Sequence, residues 1–360
     1  MDVENFADLY TDYLISSTSY ITATGMSKML NAAISHDKIT RLLSKGKYDS
    51  KYLWQLVKPM VREISSQDDL IVLCFDDSIE EKLYTDESEL ICWHFDHTVN
   101  RSVKGVNFLT AAINTQGSTL PCMVEFVRKD QWEKDKKTGK KKRKSSKTKN
   151  ELYREMLRRC HDNFRFDYVV NDTWYSSIEN MKLIKEELGC HFVMALKSNR
   201  KVALNQADKK ANHYIGIESL QPEQQTVEIW LEELDFPLLL VKQVFKNEDG
   251  TVGELYLACS DLSLSYEQIT TIYKRRWSVE VYHKSVKSNT GFAKSPTKTI
   301  KTQISHFILS ILAYVKLEWL QIRNNLNHFA MKAKIYQAAL KAANEELKKL
   351  STPAVQNLGF

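Results

Sequence analysis

The stretch LIVLCFDDS at residues 70–78 is a continuous apolar run that ends in two acids and a serine. An apolar run of this length predicts a strand that is buried on both faces. We expect Asp76 or Asp77 to close this strand. The stretch FDYVVND at residues 166–172 has the same character and ends in Asp172. Strands joined by a right-handed crossover can end side by side, so these acids are expected to lie close together.

The segments around the two strands predict an α/β fold. Residues 105–127 split into two strands at NTQGS, which indicates an antiparallel meander. Further strands are predicted at residues 89–97 and 191–197, and helices at residues 150–163 and 176–189. A meander followed by strands that are linked through helices indicates a mixed sheet covered by helices.

The pattern changes on either side of this region. Residues 1–65 and 301–360 have the spacing of helices. Residues 201–259 read as a β-rich insertion with a hairpin turn at Asp249-Gly250. The C-terminal helices either dimerise or pack on the rest of the chain.

Positive charge is concentrated in one segment. The whole chain carries a net charge of +6, while residues 128–149 hold twelve Lys and Arg against three acids, a net charge of +9. Such a run is either a solvated, mobile loop or a loop that grips the phosphates of nucleic acid. Its candidate phosphate-binding residues are Lys140, Lys141, Lys142 and Arg143.

A second basic surface is predicted near the N-terminus. Ser35 has the character of a helix N-cap, and Gly46 is a stop signal. The helix between them presents Lys38 and Arg41. This pattern fits either a helix-turn-helix that binds DNA or a plain helical hairpin.

The stretch YKRRWSVEVYHKSVK at residues 273–287 places one carboxylate among many basic side chains. On a helix opened by the capping box at Ser265, four polar side chains share a stripe of about 60°. They are Tyr273, Arg276, Glu280 and Lys287. The stripe is either an exposed face with an ordinary ion pair or the third side of an acidic pocket.

A pocket that combines Glu280 with the two strand-end acids would need cations, because like charges repel. Magnesium suits oxygen ligands and phosphate substrates, and two ions can hold both the attacking and the leaving oxygen of a phosphoryl transfer. The residues themselves therefore fit either a metal-dependent reaction on phosphate esters or, for each aspartate taken alone, an ordinary turn or helix-cap residue at the end of a strand.

Several other classes are not expected from the sequence. The six cysteines are scattered without a close pair, which is typical of reduced thiols in a cytoplasmic protein. The first residues lack the pattern of a signal peptide, and the longest apolar run, at 307–315, is too short to span a membrane. No glycine-rich phosphate loop is present, so use of a nucleotide triphosphate is not expected.

The spacing Tyr273-x2-Arg276-x3-Glu280-x6-Lys287 resembles the Tyr–Arg–Glu–Lys signature of DDE transposases from one large group of bacterial insertion sequences. The resemblance includes the tryptophan after the arginine, Trp277. Three further stretches resemble motifs of that family: CFDDSIEEK at 74–82, VVNDTWYSS at 169–177 and MALKSNR at 194–200.

The resemblance implies a ribonuclease H-like core with a mixed five-stranded sheet flanked by helices. Asp76, Asp172 and Glu280 would be its catalytic, metal-binding triad. They would hold two Mg²⁺ ions, for which Mn²⁺ can substitute. The family usually reads Asp-x-Thr or Asp-x-Ser, which favours Asp76 as the ligand and leaves Asp77 as the alternative.

The implied domains are a helical DNA-binding region, the first part of the catalytic core, the insertion, the final core helix and a helical C-terminal region. Their predicted bounds are residues 1–65, 66–200, 201–259, 260–300 and 301–360.

The implied activity is that of a cut-and-paste DNA transposase in the bacterial cytoplasm, associated with the nucleoid when bound to DNA. It would cleave double-stranded DNA at terminal inverted repeats and join the 3′-hydroxyl ends to target DNA, as a homodimer. Trp230 in the insertion is either the aromatic side chain that would hold a flipped base or an ordinary aromatic of the sheet. The other implied DNA contacts are Tyr273, Arg276, Trp277, Lys287, Lys197 and Arg200.

Two alternatives remain beside the transposase. One is a nuclease or resolvase on the same core that cuts DNA without joining it. The other is a transposase-derived DNA-binding protein that has lost its chemistry.

Overall fold

A computed structural model describes residues 3–65, 70–134, 139–220, 225–246 and 250–350. The chain divides into two compact units. The sheet unit is Asp49–His283, and the helical unit combines Met1–Tyr48 with Lys284–Phe360. None of the helices within the described ranges has the length and apolar character needed to cross a membrane.

The described helices are α1 (Val3–Ser16), α2 (Ala23–Met29), α3 (His36–Lys45), α4 (Ser50–Ser65), α5 (Lys149–His161), α6 (Ile178–Lys182), α7 (Gln206–Lys210), α8 (Tyr266–Lys274), α9 (Trp277–Asn289), α10 (Ile300–Asn324) and α11 (His328–Leu350). A π-helical turn, Leu183–Glu187, continues α6, and a 3₁₀ turn spans Ile217–Ser219.

The described strands are β1 (Val72–Glu81), β2 (Cys92–Asp96), β3 (Arg101–Thr115), β4 (Ser118–Phe126), β5 (Gln131–Lys134), β6 (Lys141–Lys144), β7 (Tyr168–Asn171), β8 (His191–Leu196), β9 (Lys201–Val202), β10 (Ile215–Gly216), β11 (Val227–Ile229), β12 (Leu238–Lys246) and β13 (Val252–Cys259).

The main sheet is mixed, as the sequence predicts. Its central strands follow the order β4-β3-β1-β7-β8, with β3 antiparallel to β1 and β4, and β7 parallel to β1 and β8. The predicted meander turns at Gln116-Gly117, where both residues have positive φ. Together with the flanking helices, this arrangement is consistent with a ribonuclease H-like fold.

The sheet has nine strands within the described residues, whereas we expected five. The difference arises because β13 pairs with β8, so β11, β12 and β13 of the predicted insertion extend the central sheet. β2 adds the ninth strand at the outer end of β3. At the predicted turn between β12 and β13, Gly250 has positive φ and Asp249 lies outside the described residues.

The prediction that Asp76 or Asp77 closes the first strand is wrong. β1 continues to Glu81, because β3 pairs with it antiparallel as far as Gly105. The parallel partner β7 pairs only with Val72–Cys74. The two aspartates therefore lie just beyond the last parallel pair, still within a strand. Asp172 directly follows β7, as predicted.

The basic segment is more ordered than the predicted loop. β5 and β6 form an antiparallel pair in which Trp132 lies opposite Arg143. The guanidinium of Arg143 lies 4.3 Å from the centroid of the Trp132 ring and 3.2 Å from a carboxylate oxygen of Glu87. Residues 135–138 of the predicted segment lie outside the described residues.

The single helix predicted through Tyr273 and Glu280 is in fact two helices. The predicted capping box at Ser265 and Gln268 opens α8, but α8 ends at Lys274 and α9 begins at Trp277. The backbone between them is a tight turn, in which the amide of Arg276 donates to the carbonyl of Tyr273 at 3.0 Å. The guanidinium of Arg275 donates to the carbonyl of Leu70 at 2.7 Å, which ties this turn to the start of β1.

The helical unit is a bundle around the buried helix α10. The hydroxyl of Tyr10 in α1 hydrogen-bonds with Nδ1 of His306 in α10 at 3.0 Å. Ser35 caps α3 as predicted, and its side chain accepts from the amide of Lys38. The fourth N-terminal helix, α4, belongs instead to the sheet unit, where Ser50 donates a hydrogen bond to the carbonyl of Val124 in β4.

Candidate active site

The two predicted metal-binding aspartates lie on neighbouring parallel strands. Asp76 is in β1, and Asp172 immediately follows β7. Burial raises the pKa of Asp76 to about 7; the charge of Arg276 opposes this effect, and the charges of Asp172 and Asp77 add to it. Burial also raises the pKa of Asp172. Topology thus concentrates negative charge at one edge of the parallel strands.

Arg276 connects these acids with Glu280. Its Nη1 atom lies 3.3 Å from Oδ2 of Asp76, and its Nη2 atom lies 2.7 Å from Oε1 of Glu280. Its charge also acts to lower the pKa of Asp172. One guanidinium therefore contacts two of the three predicted ligands, Asp76 and Glu280, and its charge partly offsets that of the third, Asp172. The helix break makes this possible, because Arg276 sits in the turn while Glu280 lies in the first turns of α9.

Tyr273 forms one wall of the same site. Its ring centroid lies 5.9 Å from the guanidinium carbon of Arg276. Burial raises the pKa of Tyr273 to about 12, the Arg276 charge opposes the rise, and the charges of Asp172 and Asp76 add to it. Tyr273, Arg276 and Glu280 thus share one location, although they do not share one continuous helix.

Asp77 has a different environment from Asp76. Its Oδ1 atom accepts a hydrogen bond from the Tyr175 hydroxyl at 2.7 Å, and its Oδ2 atom accepts one from Nζ of Lys149 at 2.6 Å. The Asp77 side chain is 15% exposed and that of Lys149 is 26% exposed. Both carboxylate oxygens of Asp77 are therefore engaged by protein donors in a largely buried place.

A second layer holds these donors. The buried ring of Tyr175 stacks on Tyr153 with centroids 5.1 Å apart, and Tyr153 packs on Phe75 at 4.5 Å. Nδ2 of Asn180 donates to the Tyr175 carbonyl at 2.9 Å and to Oδ1 of Asn150 at 2.7 Å. The start of α5 is thereby fastened both to β1 and to the loop after Asp172.

Sequence reasoning missed Lys149 and Tyr175 as parts of the site. Tyr175 lies within the quoted stretch VVNDTWYSS, three residues after Asp172. Lys149 ends the basic segment, where we treated it as part of a charge run. The only local signal for Lys149 is its place at the first turn of α5, directly after the capping residue Thr148.

Asp76, Asp172 and Glu280 offer carboxylate oxygens, which are the ligands that a hard divalent cation prefers. Among the described residues, however, no group of three or more His, Cys, Asp or Glu side chains is close enough to hold a metal ion. The Arg276 guanidinium lies between Asp76 and Glu280 and supplies positive charge there. The oxygen chemistry thus fits a metal, while Arg276 is the cation that Asp76 and Glu280 contact.

The other predicted DNA contacts have separate locations. Trp277 is exposed at the start of α9, and Lys197 is exposed directly after β8, with Arg200 half-buried nearby. Lys287 lies seven residues after Glu280, in the part of α9 that belongs to the helical unit. Lys38 and Arg41 are exposed on α3 of that unit.

The predicted residues of the basic segment are not equivalent. Lys140, Lys141 and Lys142 are exposed, and Nζ of Lys142 lies 3.3 Å from Glu133. Arg143 is half-buried between Trp132 and Glu87. Its role within the protein is thus to hold the β5–β6 hairpin in place.

Trp230 lies outside the main strands of the sheet. Its backbone pairs with Ala203, and its indole nitrogen donates to a carboxylate oxygen of Glu228 at 3.3 Å. The ammonium of Lys209 lies 5.6 Å from its ring. Nothing in this environment tests whether Trp230 holds a base, so that role stays a prediction.

A mixed sheet with acids at its parallel strands is consistent with a ribonuclease H-like core, and the family comparisons indicate a nuclease-type enzyme. Residues 3–217 match the family described as DDE superfamily endonuclease, and residues 129–316 match the transposase DDE domain. Because each match covers more than half of the chain, the protein belongs to the DDE superfamily of transposases and endonucleases. No curated protein matches the chain significantly.

Proposed function

We propose that the protein is a DNA transposase of the Tyr–Arg–Glu–Lys group from a bacterial insertion sequence. It binds terminal inverted repeats, cleaves the ends by metal-dependent phosphoryl transfer and joins the 3′-hydroxyl ends to target DNA. The observation that carries this proposal is the position of Arg276. Its guanidinium contacts Asp76 of β1 at 3.3 Å and Glu280 of α9 at 2.7 Å, while Asp172 follows β7, the parallel neighbour of β1.

In this proposal the three carboxylates hold Mg²⁺, for which Mn²⁺ substitutes. Two ions bound there would activate the attacking oxygen and stabilise the leaving oxygen of the phosphoryl transfer. Asp76 rather than Asp77 serves as the ligand, because Tyr175 and Lys149 already engage both oxygens of Asp77. Releasing Asp77 for a metal would leave the ammonium of Lys149 without its partner in a largely buried site.

Arg276 and Tyr273 have two successive roles. Without DNA, the guanidinium neutralises Asp76 and Glu280. With DNA, its fork of N–H groups is suited to a terminal phosphate, since arginine binds phosphate oxygens in a bidentate manner. The Tyr273 hydroxyl donates a further hydrogen bond to that phosphate. Lys287 adds positive charge along the same helix.

Positive surfaces elsewhere support DNA as the substrate. The β5–β6 hairpin carries the exposed Lys140 and Lys141, and α3 carries Lys38 and Arg41. Such side chains bind the DNA backbone by releasing its counterions, so binding should weaken steeply with salt. We propose a homodimer as the active form, because transposition brings two DNA ends together, and the bacterial cytoplasm as its location.

A nuclease that cuts without joining is the second candidate, since one of the matching families is described as an endonuclease. A strand-transfer assay separates the two functions. Full-length protein is incubated with a DNA fragment bearing its element's ends, a supercoiled target plasmid and Mg²⁺. Joined products that disappear in Asp172→Asn and Glu280→Gln variants would support the transposase. Metal-dependent cleavage without joined product would support the nuclease.

The third candidate, an inactive DNA-binding protein, has its own outcome in the same assay. It would bind the fragment in a mobility-shift measurement but produce no cleavage with Mg²⁺ or Mn²⁺. Normal cleavage by both carboxylate variants would contradict the proposed site itself.

A further inference from the structure

Three aromatic side chains lie together beside Asp172. Phe95 and His97 are at the end of β2, and their ring centroids are 4.9 Å apart. The ring of Trp174, in the loop after β7, lies 5.8 Å from that of His97. The amide of Trp174 donates to Oδ1 of Asp172 at 2.9 Å. We call Phe95, His97 and Trp174 the aromatic shelf.

The aromatic shelf is exposed to solvent. Trp174 is 48% exposed and Phe95 is 50% exposed, and His97 between them is exposed as well. Single exposed apolar residues are common, but a contiguous group next to polar chemistry marks a binding surface. Folding leaves about half of the Trp174 and Phe95 side chains exposed, and this apolar area is available to a flat partner.

Positive charge borders the shelf at Trp174. The ammonium of Lys149, which pairs with Asp77, lies 5.4 Å from the centroid of the Trp174 ring. Lys149 is the last residue of the basic segment 128–149, which carries a net charge of +9. We call this basic segment the rim of the shelf. The rim complements an anionic ligand, while the shelf itself complements a flat apolar one.

We propose that the aromatic shelf stacks unpaired bases of a DNA strand at the active site. This inference rests on the proposed function and names the form of DNA that the site receives. An unpaired DNA strand offers flat bases, which the shelf complements, and negatively charged phosphates, which the basic rim complements. The connection from Trp174 to Asp172 places the stacked base next to the reacting strand.

The ligand must be unpaired rather than double-stranded. Within a duplex, neighbouring base pairs cover both faces of each base, so no face is free to stack on a side chain. A single-stranded extension or a frayed end exposes these faces. Stacking of one base on an aromatic side chain contributes about 1–3 kcal/mol, which corresponds to roughly a 5- to 150-fold change in affinity.

The test uses full-length protein and two fluorescently labelled DNAs without a divalent metal, so that no cleavage occurs. One DNA is a blunt duplex, and the other is the same duplex with a single-stranded 3′ extension of a few nucleotides. Fluorescence anisotropy gives both affinities. The extension should tighten binding by wild-type protein about 5-fold or more. Trp174→Ala should remove this gain and leave binding to the blunt duplex unchanged.

Two further variants keep the test specific. Trp174→Tyr should retain most of the gain, because it preserves an aromatic face and reports on folding at the same position. Phe245→Ala, which removes an aromatic of the same 48% exposure from β12, should retain all of it. The gain should also persist when salt is raised, since stacking is not screened like phosphate contacts.

Other outcomes overturn the inference. If the extension adds equally to the affinities of wild type and Trp174→Ala, or adds nothing to either, the shelf does not bind unpaired bases. A shelf that instead docks a protein would give this result. Failure of the wild-type protein to bind either DNA would overturn the proposed function together with this inference.

Discussion

The ion pair between Asp77 and Lys149 should stabilise the sheet unit without contributing to metal binding. We therefore consider Asp77→Asn, which removes the charge but keeps the shape of the side chain. Oδ1 of the asparagine can still accept from Tyr175, whereas its amide NH₂ group would face the Lys149 ammonium, a donor facing a donor. The variant thus isolates one contact of 2.6 Å.

The expected cost follows from the burial of the pair. A hydrogen bond to a charged group contributes about 1.5–3 kcal/mol when it is buried. The two side chains are 15% and 26% exposed, so solvent screens the pair in part. We expect a coupling energy of about 1–2 kcal/mol between the two side chains. An exposed ion pair typically contributes about 0.2–1 kcal/mol.

A double-mutant cycle measures this coupling. Asp77→Asn, Lys149→Met and their combination are unfolded with urea and compared with wild type. The matched control is the ion pair between Glu81 and Arg101, which starts from the same strand at a similar distance of 2.7 Å but is 36% and 55% exposed. Its cycle, with Glu81→Gln and Arg101→Met, should give the smaller coupling.

Metal affinity provides the second measurement. Binding of Mn²⁺, followed by electron paramagnetic resonance, should change less than about twofold in Asp77→Asn and fall at least tenfold in Asp76→Asn. Two results would refute the reasoning. One is a coupling between Asp77 and Lys149 no larger than that of the exposed control. The other is an equal loss of Mn²⁺ affinity in both aspartate variants.

Three further predictions concern other parts of the sheet unit. In Arg276→Gln, Asp76 and Glu280 lose their shared counter-ion, so Mg²⁺ should raise the melting temperature more than in wild type; an equal rise would contradict this role. Burial lowers the pKa of His94 to about 3, well below its value of about 6.5 in the unfolded chain. Below about pH 6.5 the unfolded chain therefore binds a proton at His94 that the folded protein does not, so the free energy of unfolding falls as the pH is lowered. Wild type should therefore lose about 2 kcal/mol more than His94→Gln between pH 7 and pH 5, as measured by urea unfolding at each pH. A Cβ at Gly105 would meet the carbonyl oxygen of Glu80 at 2.1 Å, so Gly105→Ala should lower stability by at least about 1–3 kcal/mol, whereas Gly216→Ala, where a Cβ would meet the Glu218 side chain at an ordinary 3.6 Å, serves as the control for glycine replacement.

Local patterns predicted the parts of the fold that depend on neighbours in sequence. The capping of α3 by Ser35, the capping box at Ser265 and the strand that ends before Asp172 all involve residues a few positions apart. Each pattern has a physical reason within one turn or one strand, and the structure agrees with each.

Features that depend on distant pairs were not predictable in this way. β1 extends past Asp77 only because β3 pairs with it, and β13 joins the sheet only because β8 is adjacent. The contact of Lys149 with Asp77 joins residues 72 positions apart. The helix break at Arg276 likewise carries no glycine or proline, so only the packing of Arg275 against the start of β1 reveals it.

The two aspartates of β1 show how one acidic edge can serve both stability and chemistry. Asp77 has two dedicated donors, Tyr175 and Lys149, each at 2.7 Å or less. Asp76 accepts a hydrogen bond from the backbone amide of Asp77 at 2.8 Å, but the cation at its other oxygen is a shared one: Arg276 lies 3.3 Å away and also holds Glu280. A shared and longer contact is easier to exchange for another cation than a short, dedicated one. In the proposed function, this difference keeps Asp76 available to the metal while Asp77 fixes the strand that carries it.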